Sequence, residues 1–190
     1  MPRPRTFDAE EALSEAMRVF WRKGFAETSY DDLVAATGVS RKGLYTVFGD
    51  KQELFLKSLD HYERTVVPSL FGALKEDDLN RAKIITMFED FAKLAASGEG
   101  SIGCFMANTA ADVTISIPEV RDRVNRHLID LAKDFTTALQ RVGVAQEPAH
   151  RLGHYLSGVF QSLLLMAHAR ADSALIEDFI TIALQPLKDP

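Results

Sequence analysis

Apolar residues in this chain return every third or fourth position from end to end, and no stretch alternates with period two. That rhythm matches the turn of an α-helix and leaves no strand to pair, so it predicts an all-α fold. Cap signals divide the rhythm into about nine helices. Asp8 with Glu11 opens the first, which carries Leu13, Met17 and Phe20, and Gly24 stops it. Thr28 or Ser29 caps a second over residues 30–37, ended by Gly38. Ser40 caps a third over 41–47, closed near Gly49. Asp50 with Glu53 starts a long fourth through Leu54, Phe55, Leu59, Tyr62 and Val66, which Pro68 should kink or end.

The second half continues in the same way. Residues 79–96 carry Ile84, Ile85, Phe88, Phe91 and Ala95 on one stripe, a loop spans 97–103, and a helix follows over 104–112. Ser116 and Glu119 have the spacing of a capping box, opening a helix through Val120, Val124, Leu128, Leu131, Phe135, Leu139 and Val142. Pro148 starts the eighth helix and Ser173 the ninth, which stops before Pro186.

Of the 190 residues 46% are hydrophobic, and the net charge is −5. A chain of this length buries enough surface to need neither disulfide nor metal. The lone cysteine, with no apolar run long enough for a leader or a membrane span, points to a cytoplasmic protein with no membrane partner. The charge is unevenly spread. Residues 1–51 balance eight Lys and Arg against eight Asp and Glu, so residues 52–190, with fourteen against nineteen, hold the whole deficit. Within the first segment the cations cluster at Arg3 and Arg5, at Arg41 and Lys42, and at Lys51, a local patch able to meet a polyanion.

The second and third helices, separated by a tight turn at residues 37–40, have the layout of a helix-turn-helix. Leu33, Val34 and Val39 face inward with Leu44 and Phe48, which leaves Arg41, Lys42, Gly43, Tyr45 and Thr46 outside. A helix that begins with two cations and a residue lacking a side chain can enter a major groove closely enough to reach base edges.

The first 55 or so residues resemble the N-terminal domain of the TetR family of bacterial transcriptional repressors. The matching pieces are Ala16–Phe20 with Gly24–Phe25, Thr28–Ser29, Leu33, Thr37–Gly38–Val39–Ser40, Gly43–Leu44–Tyr45, Phe48 and Lys51–Gln52–Glu53–Leu54. The resemblance implies a helix-turn-helix DNA-binding domain over 1–51, joined through the long fourth helix to a helical effector-binding and dimerisation domain over 52–190. It implies that Thr28 and Ser29 hold phosphate, that Arg41 and Lys42 read bases, that Gly43 permits close approach, and that Tyr45 and Lys51 reach the backbone. Arg3 and Arg5 are then either a minor-groove arm or a loose tail. Where the family commonly has His or Tyr before its Phe, this chain has Val47, so one phosphate contact is expected to be missing.

The resemblance also implies a pocket for a small effector, for which Phe91, Phe105, Asn108, Thr109, Asp112, His127, Phe135, Phe160 and Gln161 are candidates. Cys104, at a helix start, is either a small packed hydrophobe or a redox sensor. The last two helices are apolar around much of their circumference. Leu152, Leu156, Val159 and Leu163 in the eighth, with Ile176, Phe179 and Ile180 in the ninth, are expected to meet the same pair in a second subunit.

Other motifs are set aside. Gly98, Gly100 and Gly103 spell a dinucleotide fingerprint but lack the preceding strand it requires. Glu147 with His150, and His154 one turn on, is half of a di-metal motif whose other half is missing. No catalytic constellation, metal or cofactor is expected. The expected function is a homodimeric repressor that holds a palindromic operator and leaves it when an effector binds, with oxidation of Cys104 as the alternative trigger.

Overall fold

A computed structural model of the chain describes residues 7–97 and 103–188, so Arg3, Arg5, Gly98 and Gly100 lie outside the described residues. Among those described the chain is helical, with no strand. The elements are α1 (Ala9–Glu27), α2 (Tyr30–Thr37), α3 (Arg41–Phe48), α4 (Lys51–Thr65), α5 (Val67–Phe71), α6 (Arg81–Ala96), α7 (Phe105–Ala110), α8 (Pro118–Arg141), α9 (Gln146–His168), α10 (Ser173–Ala183) and α11 (Gln185–Lys188). The two short segments beyond the nine expected, α5 and α11, each contain a proline in the first two positions, where no helical N–H is lost. Among the described residues no helix is long and apolar enough to cross a membrane.

Local chemistry explains most boundaries. The Asp8 carboxylate accepts from the N–H groups of Glu10 and Glu11, and Asp50 and Glu53 form a reciprocal capping box. Gly24 leaves helical geometry at φ 74° and ψ 173°, so the regular part of α1 ends where expected. The box expected at Ser116 does not form. Ser116 Oγ donates to the carbonyl of Val113 inside a 3₁₀ turn (Val113–Ser116), and α8 begins at Pro118. Ile117 takes the cap position, so Glu119 falls second in the helix and out of register for a box with Ser116. Similarly, α9 starts at Gln146, with Pro148 as its third residue.

By packing the chain forms two units, residues 1–67 with 108–123, and residues 68–107 with 124–190. The first is built around Phe20, Leu33, Leu44, Phe55 and Leu59, all buried. Phe55 meets Phe20 and Phe25 edge-on at 5.1 and 5.2 Å, and Trp21 meets Tyr62 at 5.0 Å. The second centres on Phe160, whose ring lies 4.6 Å from both Phe71 and Phe91, while Phe88 stacks on Phe135 at 5.4 Å. Each such ring contributes about 1.5–3 kcal/mol by leaving water.

Candidate nucleic-acid interface

The helix-turn-helix is held by caps at every corner. Ser29 is the cap of α2: its Oγ accepts from the N–H of Asp32 at 3.1 Å, and its own N–H donates to Asp32 Oδ2 at 2.9 Å. The Lys23 ammonium, 2.6 Å from Asp32, and the Ser29 donors hold that carboxyl well below the usual carboxylate range. At the other end Gly38 adopts φ 66°, a left-handed conformation natural to glycine, and its N–H closes on the carbonyl of Val34. Thr37 Oγ1 donates to the carbonyl of Leu33 and accepts from the N–H of Val39. Ser40 Oγ then accepts from Gly43, which starts α3.

This frame fixes which side of α3 faces outward. Val39, Leu44 and Phe48 are buried as expected, and Val34 is half-buried. Arg41, Lys42, Tyr45, Thr46 and Val47 are exposed, Tyr45 to 62%. Gly43 is half-buried, and a Cβ there would sit 2.8 Å from Val39 Cγ1, so any larger residue would displace that side chain from its place in the turn. The outer surface of α3 thus carries two cations, two hydroxyls and no carboxylate. Its guanidinium is partly pre-positioned, since Arg41 lies 4.4 Å over the Tyr30 ring. Lys51 Nζ lies 4.4 Å over Phe25 at the start of α4. Thr46 Oγ1 donates back to the carbonyl of Lys42.

Thr28 departs from the expectation. It is 1% exposed and its hydroxyl donates to the carbonyl of Gly24, so it closes α1 and leaves the outer position to Ser29. Sequence reasoning also missed Tyr30, the platform under Arg41, and Lys57, whose Nζ donates to the carbonyl of Phe48 at 2.7 Å and anchors the end of α3. No periodic signal marks either one.

The candidate effector residues fall into two groups. Phe91, Phe105, His127, Phe135, Phe160 and Gln161 belong to the second unit, Asn108, Thr109 and Asp112 to the first. In the second unit His127 is buried and Gln161 half-buried, their Nε2 atoms 3.1 Å apart, and Phe91, Phe135 and Phe160 form one aromatic cluster. Buried Cys104 has its Sγ 3.9 Å from His127 Nε2. Asp112 is instead committed to capping: Oδ1 accepts from the N–H and hydroxyl of Thr114. His150 and His154 are exposed with rings 4.2 Å apart. Among the described residues no three His, Cys, Asp or Glu gather as a metal site.

The expected subunit interface needs a larger correction. Leu156, Val159, Leu163, Ile176 and Ile180 are buried within the single chain, where α6, α9 and α10 pack together, and Leu152 and Phe179 are half-buried. Both helices have two apolar faces, and periodicity cannot tell which one the chain's own core takes. The exposed large apolar residues of these two helices are Tyr155 and Leu165 on α9 and Leu175 and Ile182 on α10, with Leu165 and Ile182 66% and 64% exposed.

Residues 12–57 match the family described as bacterial regulatory proteins, tetR family. The chain is 28% identical over 187 residues to the HTH-type transcriptional repressor ComR of Escherichia coli, covering 95% of this chain and 88% of that one. It is 25% identical over 193 residues to the uncharacterized HTH-type transcriptional regulator YezE of Bacillus subtilis, covering 98% and 100%. Among solved structures, a cysteine mutant of the TetR family transcriptional regulator CifR, complexed with double-strand operator DNA of 26 base pairs, shares the fold. Its TM-score is 0.79 at 24% identity, over 98% of this chain and 99% of that one.

Proposed function

The chain belongs to the tetR family of bacterial regulatory proteins, and from that membership and its helix-turn-helix we propose that it is a DNA-binding transcriptional repressor acting as a homodimer. Residues 1–51 make the DNA contacts, and residues 52–190 serve effector binding and dimerisation. The observation that carries this reading is the outward face of α3, where Arg41, Lys42, Tyr45 and Thr46 stand together without a carboxylate. Arg41 and Lys42 read base edges, while Ser29, Tyr45 and Lys51 hold phosphates. Two copies joined through Leu165, Leu175 and Ile182 set the α3 helices one DNA turn apart, which suits a palindrome. The repressor described for Escherichia coli supports the sign of regulation.

An effector seated against Phe91, Phe135, Phe160, His127 and Gln161 releases the operator to the extent that it prefers the non-binding form. Selection of double-stranded fragments from a random pool by the purified chain tests the reading. Enrichment of a palindrome, with affinity falling steeply as salt rises, is expected. Recovery of unenriched sequence would refute it.

A second trigger is favoured by one contact. The His127 imidazole lies 3.9 Å from the Cys104 sulfur, within hydrogen-bonding reach of the thiol. Peroxide should then weaken operator binding by the wild-type chain but not by Cys104→Ser. Equal responses would remove Cys104 from the mechanism.

A further inference from the structure

A cleft of about 630 Å³ opens where the starts of α6 and α9 meet the α10–α11 junction. The volume suits a small organic ligand, for which pockets span roughly 300–1,000 Å³. Its walls are Val144, Pro148, Leu152, Tyr155 and Pro186, flat or branched apolar surfaces that favour a ring over a flexible chain. Its charged residues are Arg81, Arg151 and Glu147. Glu147 is already offset by Arg151 at 3.6 Å. The half-buried Arg81 side chain has no hydrogen-bond or ion-pair partner among the described residues. No side chain caps the first turn of α9 beside it, which adds to the positive potential.

An arginine with no partner of its own among the described residues, in an apolar cleft where the one carboxylate is engaged by Arg151, suits a ligand carboxylate, two N–H groups to two oxygens. We propose that this cleft binds an aromatic monocarboxylate, its ring against Tyr155, Pro148 and Pro186 and its carboxylate on Arg81. The site is separate from the aromatic cluster around Phe160 and does not depend on the operator reading.

Calorimetric titration of the full chain, without DNA, with 2-naphthoate and its neutral amide is the test. Naphthoate should bind at least about tenfold more tightly than naphthamide, a difference of about 1.4 kcal/mol. Arg81→Met should abolish that preference. Glu147→Gln alters an exposed side chain the fold does not need, removes the carboxylate in the lining, and should tighten naphthoate binding several-fold. Equal binding of acid and amide, no binding of either, or an unchanged preference in Arg81→Met would each overturn the proposal. Leu152 and Tyr155 also border the face proposed for dimerisation. Binding seen only in a Leu165→Glu chain would mean that a second copy fills the cleft, and would overturn the proposal as well.

Discussion

Arg123 places both arms of its guanidinium on the carboxylate of Asp60, Nε to Oδ1 at 2.8 Å and Nη2 to Oδ2 at 2.9 Å. The pair joins residues 63 apart and fastens the first turns of α8 to the middle of α4. A forked, half-buried pair of this kind is worth about 1 kcal/mol, more than an exposed one. Asp60→Asn should therefore lower the melting temperature by about 2–4 °C. Arg123→Lys should not restore stability, because an ammonium cannot fork. Thermal unfolding by circular dichroism checks both.

His61 gives the first unit a pH dependence. It is buried between α1 and α4. As a neutral ring its Nε2–H donates to Ser14 Oγ at 2.8 Å, while Nδ1 accepts from Arg64 at 3.2 Å. Burial lowers its pKa from the ordinary 6.5; Glu10 opposes the shift and Arg64 reinforces it. Above pH 6.5 both folded and unfolded chains hold a neutral imidazole, and the group adds no pH dependence. Below it the unfolded chain takes up a proton that the folded one refuses. Stability should then fall by up to about 1.4 kcal/mol per pH unit until the folded pKa is reached. Urea midpoints measured from about pH 7.5 down to 5 should show this decline, and His61→Gln should flatten it.

At Gly153 the backbone of α9 packs against that of α8. A Cβ there would lie 2.8 Å from the backbone nitrogen of Thr136 and 2.9 Å from its Cα, neither of which can swing aside. Gly153→Ala should cost about 1–3 kcal/mol in chemical denaturation. An alanine at Gly158, one and a half turns on, meets nothing within 4 Å and should not.

Arg41→Ala and Lys51→Ala should separate recognition from attraction. The first should lose about 1–3 kcal/mol of operator affinity and relax specificity at one base pair. The second should weaken all sequences alike and reduce the salt slope. Fluorescence anisotropy on specific and scrambled duplexes at several salt concentrations distinguishes them.

Leu165→Glu and Ile182→Glu change exposed side chains, so the protomer should keep its helical content. Sedimentation should nevertheless show a monomer. Leu156→Glu, on the buried face of α9, should instead fail to fold.

What the sequence revealed follows from the range of the forces involved. Caps at Asp8, Ser29, Ser40 and Asp50 act within one turn, so residue type and spacing were sufficient to locate the first four helices and the outward side of α3. Thr28 and Ser29 are adjacent and chemically alike, and only the fold decides which one is enclosed. The residues expected at a subunit face are buried in the chain's own core because Leu156 and Leu165 are equally apolar, and the choice between them belongs to α6, far away in sequence. The Cys104–His127 contact joins residues 23 apart and the partnering of Arg41 with Tyr30 joins two helices, and neither leaves a local trace.

The hydrogen bond from Lys57 to the carbonyl of Phe48 has a mechanical consequence. It ties the last residue of α3 to the second turn of α4, so that movement of one helix is passed to the other. A twist of α4 by a few degrees would carry α3 along as a stiff lever, and a message arriving from elsewhere in the chain would be delivered as a change of aim rather than as melting.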